Sequence, residues 1–240
     1  MPAATIQQLF RVPLTVPLLA GGGLGTATFL VDLIPEFLAF FITPVVSSAA
    51  AWGAVALLVA MRTETRSFAT LFGVATLCSS TATYYLLILV LSQRWKLGAE
   101  TENFTLSHSG ILSVVAANGF WLLLSIFAGA TLGVLAHAIR SGPPARSAAL
   151  TGITTGMLAT EGTYTIIHVS FIWVGPLDSF TWARIQTASM QLLLAGLVLA
   201  LIVTTRKLHH TWAVLLTSFI ASISVGIALW LPLAEIRQSL

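Results

Sequence analysis

Residues 113–138 read SVVAANGFWLLLSIFAGATLGVLAHA, a run that contains no Asp, Glu, Lys or Arg. About 20 apolar residues in helical form cross the hydrocarbon core of a bilayer, so this stretch predicts a transmembrane helix. The whole chain has the same character, with 57% hydrophobic residues, 8% charged residues and a mean hydropathy of +0.94. So much apolar surface must face lipid, where only helices and closed barrels satisfy every backbone group.

Similar apolar runs lie on both sides of this one, and their length favours helices over the short alternating strands of a barrel. We predict an all-α polytopic membrane protein that forms a single transmembrane domain over residues 1–240. Its seven predicted helices lie near residues 13–33, 43–61, 68–92, 113–138, 148–173, 186–205 and 212–232. The first apolar run is long enough to span, so we interpret it as a retained helix and not as a cleaved signal peptide.

The distribution of Lys and Arg predicts the orientation, since positively charged loops resist translocation. With the N-terminus inside, seven basic residues are internal and four are external. The internal ones are Arg11, Arg62, Arg66, Arg140, Arg146, Arg206 and Lys207, and the external ones are Arg94, Lys96, Arg184 and Arg237. This bias predicts a multi-pass protein of the plasma membrane, and we expect a bacterial origin.

Charge and cysteine usage exclude several classes of protein. The formal charge of +3 is spread over many short loops, so we do not expect nucleic acid binding. Cys78 is the only cysteine, which excludes disulfides within the chain and cysteine-rich metal sites. No HExxH, P-loop, GxSxG or aspartate-rich pair occurs, so we predict no metal and no cofactor.

An internal repeat becomes visible when the chain is shifted by 80 residues without a gap. Arg66 and Ser67 then align with Arg146 and Ser147, and Thr83-Tyr84 aligns with Thr163-Tyr164. The matched unit is a helical hairpin. The two hairpins begin two crossings apart, so both would run through the membrane in the same direction. The repeat would therefore be parallel, unlike the inverted repeats of many transporters.

Glu161 is the leading candidate for a catalytic residue. It lies near the middle of the fifth predicted span, where an acid costs at least about 2.5 to 3.5 kcal/mol. An acid in lipid is expected to be protonated at neutral pH and so able to donate. Thr154, Thr165 and His168 share its helical face, which predicts a lined cavity, although a neutral acid bonded between helices is the structural alternative.

Two other acids lie near span ends. Asp32 closes the first helix and is either an ordinary interfacial acid or a second carboxylate that assists Glu161. Asp178, in VGPLDSF, is interpreted as a loop cap.

Aromatic and amide side chains are the candidates for substrate binding. Tyr84, Trp121 and Tyr164 lie deeper than an interfacial aromatic belt would place them. The full candidate set is Tyr84, Asn118, Phe120, Trp121, Tyr164, His168 and Gln191, with Gln186 as a further amide. These side chains either orient a substrate or bond between helices.

A buried acid among aromatic rings suits carbocation chemistry on an apolar chain. The acid would protonate an alkene or epoxide, and ring faces would stabilise the cation. The segments AGGGLGTATFLVD, ending at Asp32, and GMLATEGTYTIIH, around Glu161, resemble the integral-membrane terpene cyclases of fungal meroterpenoid and bacterial drimentine-type pathways. They also resemble seven-helix bacterial membrane proteins with no assigned activity.

The cyclase resemblance implies protonation-started cyclisation of a farnesyl-like group on a larger scaffold, without diphosphate ionisation and without Mg²⁺. Fungal members place acids on the second and last helices, whereas this chain carries them on the first and fifth. Two other classes remain open. One is a proton-coupled transporter or channel that uses Glu161 and His168. The other is a lipid-binding subunit without chemistry; the oligomeric state is not predicted.

Overall fold

The computed structural model describes residues 13–92 and 106–239, and these residues form helices and no strand. The predicted all-α class is therefore confirmed. The helices are α1 (Thr15–Val31), α2 (Glu36–Val46), α3 (Ala49–Ala60), α4 (Arg66–Leu87), α5 (Leu106–Ser141), α6 (Pro144–Ile167), α7 (Ser179–Arg206) and α8 (Trp212–Ser239). Each of the seven predicted spans coincides with one of them, except that residues 43–61 fall on α2 and α3.

Four helical stretches are long and apolar enough to cross a membrane, namely Arg66–Ser92, Gly110–Ser141, Ser179–Arg206 and Leu208–Leu229. The bent pair Phe37–Val46 and Ala49–Ala60 adds a fifth when it is counted as one span. The apolar helices indicate a multi-pass membrane protein with four to five candidate spans. Helix α1 is apolar but has only 17 residues. The prediction of seven spans goes beyond this count.

The break between α2 and α3 was not predicted, and local chemistry explains it. Pro44 lies inside the last turn of α2 and has no N–H to donate to an earlier carbonyl. Ser48 then starts α3, because its hydroxyl accepts a hydrogen bond from the Ala51 N–H at 3.1 Å. The Trp52 indole donates to the Val46 carbonyl at 2.9 Å across the break. The two helices meet at a bend of 46°.

Contacts divide the chain into two compact units, which are described separately. Unit 1 contains α1, the end of α3, α4 and α5 up to His137. Unit 2 contains α2, the start of α3, the end of α5 from Ala138, and α6, α7 and α8.

In unit 1, glycines let the neighbours of α4 approach its backbone. A Cβ on Gly21 of α1 would overlap the Thr76 carbonyl, and one on Gly25 would overlap the Ser80 carbonyl. Gly21 and Gly25 of the glycine run at residues 21–25 thus form a helix packing surface. On α5, Gly129 lies close enough to Gly73 that its Cβ would come within 2.7 Å of that residue's carbonyl. Small residues at such contacts are typical of membrane helices.

In unit 2, α6 is the central helix, with α7 and α8 packed along it. A Cβ on Gly156 would lie 2.7 Å from the Phe219 carbonyl oxygen of α8, and Gly152 approaches Leu215 in the same way. A Cβ on Gly162 would lie 2.8 Å from the Ala188 carbonyl oxygen of α7. Helix α2 also packs against α7.

Helices α4 and α6 end in the same way. Each continues into one π-helical segment, Ile88–Ser92 after α4 and His168–Ile172 after α6. These segments begin 80 residues apart, which is the offset of the predicted repeat.

The start of α7 is capped as the sequence predicts. Asp178 accepts hydrogen bonds from the N–H and the hydroxyl of Thr181, both at 2.8 Å. These hydrogen bonds favour the charged carboxylate and hold the pKa of Asp178 below its ordinary value. Its assignment as a cap is confirmed.

Candidate functional site

Glu161 is held by a side chain from the neighbouring helix. It is half-buried on α6, and the Gln191 amide of α7 donates from Nε2 to its Oε2 at 3.2 Å. Gln191 is only 4% exposed. A buried amide and a carboxyl group therefore form the interhelical contact at the position that the sequence singles out.

The contact exists because the two backbones approach closely beside it. Gly162 follows Glu161 and faces Ala188, one helical turn before Gln191. Its missing side chain lets α7 lie near enough for the amide to reach the carboxyl group. On the other side of α6, Thr160 is buried against Gly226 of α8. Glu161 is therefore flanked by two tightly packed residues.

Tyr164 and His168 follow Glu161 toward the end of α6, and their rings lie 5.7 Å apart with an interplanar angle of 31°. Both are half-buried. His168 is also the first residue of the π-helical segment, and such segments are frequent at functional sites. The structure thus places the acid, the phenol and the imidazole in sequence along one half-buried stretch.

Thr154 of the predicted polar stripe, like two neighbouring threonines, bonds within its own helix. The Thr154 hydroxyl donates to the Leu150 carbonyl at 2.8 Å, four residues earlier in its own helix. Thr151 and Thr155 do the same at 2.7 Å each. These hydroxyls are used inside the helix, so the polar groups that distinguish the region are those of Glu161, Gln191, Tyr164 and His168.

The candidates in unit 1 lie in two groups. Tyr84 makes an edge contact with Tyr85, with ring centroids 5.4 Å apart. Phe120 and Trp121 make a similar contact at 5.6 Å, and they are 58% and 51% exposed. Exposure of two large aromatic rings on an apolar helix also suits a lipid-facing belt. Their role in substrate binding stays a prediction.

Asn118 and Asp32 complete the predicted set. The Asn118 side-chain oxygen is buried and has no hydrogen-bond partner among the described residues. An unsatisfied acceptor of this kind is costly, and it marks a place where a donor from another molecule would be stabilising. Asp32 is exposed at the C-terminal end of α1. It belongs to unit 1 and Glu161 to unit 2, so their cooperation also stays a prediction.

The sequence predictions miss three features of these units. The Gly129/Gly133 and Gly152/Gly156 pairs both have the small-xxx-small spacing that marks close helix packing, and that signal is visible in the sequence. The Thr81 and Ser125 hydroxyls form a buried hydrogen bond at 2.8 Å, for which spacing gives no signal. The Gln186 amide nitrogen is buried without a hydrogen-bond partner among the described residues.

Within the part of the chain that the structure describes, no group of three or more His, Cys, Asp or Glu side chains is arranged to hold a metal ion.

Comparison with known proteins gives a family but no named relative. No curated protein and no solved structure matches the chain. A family model described as a family of unknown function, DUF6518, matches residues 5–235. Because that match covers nearly the whole sequence, including both units and the Glu161 region, the chain belongs to the DUF6518 family.

Proposed function

We propose that this protein is a membrane-bound terpene cyclase in which Glu161 protonates a farnesyl-like chain and so starts its cyclisation. One observation carries the proposal: the carboxyl group of Glu161 is half-buried on a helix of a strongly apolar, multi-pass protein, and one of its oxygens is held by a buried amide. An ionisable group in this setting is expensive, which makes it a candidate for function.

The hydrogen bond assigns different roles to the two carboxyl oxygens. Gln191 donates to Oε2, which leaves Oε1 as the oxygen that would carry and transfer the proton in the proposed reaction. In the reaction, the Oε1 proton passes to an alkene carbon, whose π electrons form the new C–H bond and leave a carbocation. The next double bond attacks the cation, and transfer of a proton from carbon to His168, which returns it to the Glu161 carboxylate, ends the sequence. The change is an isomerisation and needs no oxidant or reductant.

The surroundings of Glu161 suit the later steps. After donation, the carboxylate keeps its hydrogen bond from Gln191, which is stronger to a charged oxygen. Tyr164, near Glu161 on the same helix, offers a ring face toward which a cation is attracted. His168 contacts Tyr164 and is the nearest candidate for returning a proton to the carboxylate.

The proposal assigns supporting roles to residues of unit 1. Asp32 would assist by position or by supplying protons, and Tyr84, Asn118, Phe120 and Trp121 would contact the substrate. The substrate would be a prenylated small molecule already dissolved in the bilayer, and the reaction would require no cofactor.

The proposal includes a topology of seven membrane crossings, with the N-terminus on the cytoplasmic side of the plasma membrane. Two helices outside the candidate count support it. Helix α1 is about 26 Å long at 1.5 Å per residue, and α6 with its π segment runs from Pro144 to Ile172. Helix α6 carries more polar residues, but it is covered on two sides by α7 and α8.

Cysteine labelling tests this orientation. With Cys78 replaced by Ser, single cysteines near residue 100 and at the C-terminus should react with an impermeant reagent added outside intact cells. Reaction of both sites only after the cytoplasmic side is opened would reverse the orientation.

A parallel repeat is part of the proposal. Its support is the coincidence of the π segments after α4 and α6 with the 80-residue sequence offset. The same frame would place Tyr84 and Tyr164 at matching depths.

A proton-coupled carrier is the second candidate, and the bend between α2 and α3 favours it. Broken helices form substrate sites in many transporters. The chain shows one such break among its described residues, whereas those transporters carry a matching pair.

One experiment separates these functions. Purified protein in liposomes is incubated with farnesylated aromatic compounds in D₂O. Protonation by an exchangeable carboxyl group should give a cyclised product that carries one deuterium at carbon. Unchanged substrate, together with solute-coupled movement of protons into the liposomes, would contradict the cyclase and support the proton-coupled carrier.

A further inference from the structure

The basic end of unit 2 lies far along α6 from Glu161. It consists of Arg140, Arg146, Arg206, Lys207, His209 and His210. These residues come from the end of α5, the first turn of α6, the end of α7 and the 3₁₀ turn Leu208–Thr211 that leads into α8.

Helix pairing brings these segments together. Helices α6 and α7 are antiparallel, with Gly162 facing Ala188, so the start of α6 lies beside the end of α7. Helix α8 runs parallel to α6, with Gly152 facing Leu215, and the 3₁₀ turn packs against α6. The Ser147 hydroxyl donates to the Ile139 carbonyl at 2.7 Å, which ties the end of α5 to the same place.

The segments that supply this cluster contain no acidic residue of their own. No Asp or Glu occurs between residues 138 and 160 or between 179 and 234. Arg206 also has its Nε buried without a hydrogen-bond partner among the described residues. The residue is half-buried, and a buried Nε–H of this kind is stabilised when an acceptor reaches it.

The start of α6 adds further donors. Pro143 occupies the N-cap position and provides no side-chain cap, while Pro144 takes the first helical position. The first-turn N–H groups of Ala145 and Arg146 therefore have no intrahelical acceptor. Helix α4, by contrast, is capped by the Thr65 hydroxyl, which accepts from the Phe68 N–H at 3.4 Å.

We propose that the basic end of unit 2 binds the phosphodiester headgroup of an anionic phospholipid. Arg146, Arg206 and the first-turn amides of α6 supply donors with the geometry that phosphate oxygens accept, and the local charge favours an anion. This inference does not depend on the role of Glu161.

The position of the cluster favours a lipid over a soluble phosphate. Helices α7 and α8 both contain candidate membrane spans, and the cluster lies where one ends and the other begins. Trp212 is 46% exposed in the first turn of α8, as expected for a side chain at the membrane interface. Basic residues at that level are attracted to anionic lipids.

Lipid retention measured by native mass spectrometry tests the proposal. The purified protein is equilibrated with equal amounts of phosphatidylglycerol and phosphatidylcholine of the same chain length. Wild type should retain phosphatidylglycerol preferentially. The double variant Arg146→Gln/Arg206→Gln should reduce that preference by roughly 25-fold, since each basic residue contributes a factor of about five. The control Arg184→Gln removes a charge near the other end of α7 and should preserve it.

If the double variant does not fold, the single variant Arg146→Gln takes its place. Arg146 is exposed, so its replacement should leave the fold intact and still reduce the preference about fivefold. Equal retention of both lipids by wild type, or an unchanged preference in these variants, would overturn the proposal. Displacement of phosphatidylglycerol by millimolar inorganic phosphate at constant ionic strength would also overturn it, in favour of a soluble phosphate.

Discussion

Helices α4 and α6 are alike in their packing and in how they end, but they differ in the side chain that bonds to the next helix. Each receives a neighbouring helix through glycine contacts, and each ends in a π segment. Position 81 of α4 and position 161 of α6 are separated by the repeat offset, and both make a hydrogen bond to the next helix. The first bond joins the hydroxyls of Thr81 and Ser125, whereas the second joins an acid and an amide.

The difference shows what the acid adds. A hydrogen bond between membrane helices contributes about 0.6 kcal/mol on average, and a hydroxyl pair supplies it without an ionisable group. An acid at the centre of a membrane costs several times that amount on insertion scales. With α6 as one of the proposed crossings, Glu161 would be an expensive way to make the contact that Thr81 makes in unit 1. This contrast favours a chemical role over a packing role.

Replacing Glu161 by Gln should give the largest effect. The substitution keeps shape and hydrogen bonding but removes the acidic proton, so cyclisation of a prenylated substrate should fall by about 10² or more. Thr81→Ser, at the matching position of α4, is the control and should retain near-normal turnover. Product formation per folded protein is the measurement. A well-folded Glu161→Gln protein that cyclises at the normal rate would remove Glu161 from the mechanism.

Replacing Gly152 by Val should have the next largest effect, on folding. The new side chain would overlap the Leu215 backbone of α8, so the two helices would have to separate and lose packing contacts. We expect a loss of about 1 to 3 kcal/mol, measured by unfolding in mixed detergent and SDS. Gly196→Val on α7 is the matched control, since no atom lies within 4 Å of its Cβ position. Equal losses in both would point to helix propensity and not to packing.

Replacing Gln191 by Leu should lower turnover by roughly tenfold, because the hydrogen bond that positions the carboxyl group and stabilises its charged form is lost. The infrared carbonyl band of the protonated Glu161 side chain should also shift, since its Oε2 no longer accepts from an amide. Gln186→Leu is the control on the same helix, because the Gln186 amide nitrogen makes no hydrogen bond to any of the described residues. An unchanged band in Gln191→Leu would contradict the positioning role.

The sequence patterns predict the positions of the helices well, because apolar runs and charged breaks are local signals. The run predicted at 68–92 corresponds to Arg66–Ser92, and the cap at Asp178 is present. The break at residues 47–48 lies inside one apolar run, so hydropathy alone does not show it. Pro44 and Ser48 carry that information instead.

The candidate site is predicted only in part. Glu161 stands out because an acid inside an apolar run is rare and costly. Its hydrogen-bond partner Gln191 lies 30 residues away in the chain. The bond depends on the register of two helices, which the close approach at Gly162 sets. The lining of a cavity by the polar stripe stays a prediction. The Thr154 hydroxyl donates to its own helix, as threonines inside helices commonly do.

Replacing Thr81 by Val should have the smallest effect and gives the comparison its baseline. The substitution keeps the shape but removes the hydroxyl that bonds to Ser125. Ser125 can turn its own hydroxyl to a carbonyl of α5, so the expected cost is only about 0.6 kcal/mol. Thr76→Val on the same helix is the control, because the Thr76 hydroxyl donates to the Phe72 carbonyl within α4. Unfolding in mixed detergent and SDS measures both variants, and Thr81→Val should lose more stability than Thr76→Val. A loss of several kcal/mol for Thr81→Val would mean that the hydroxyl pair is itself a major tie between α4 and α5, and the contrast that assigns chemistry to Glu161 would then weaken.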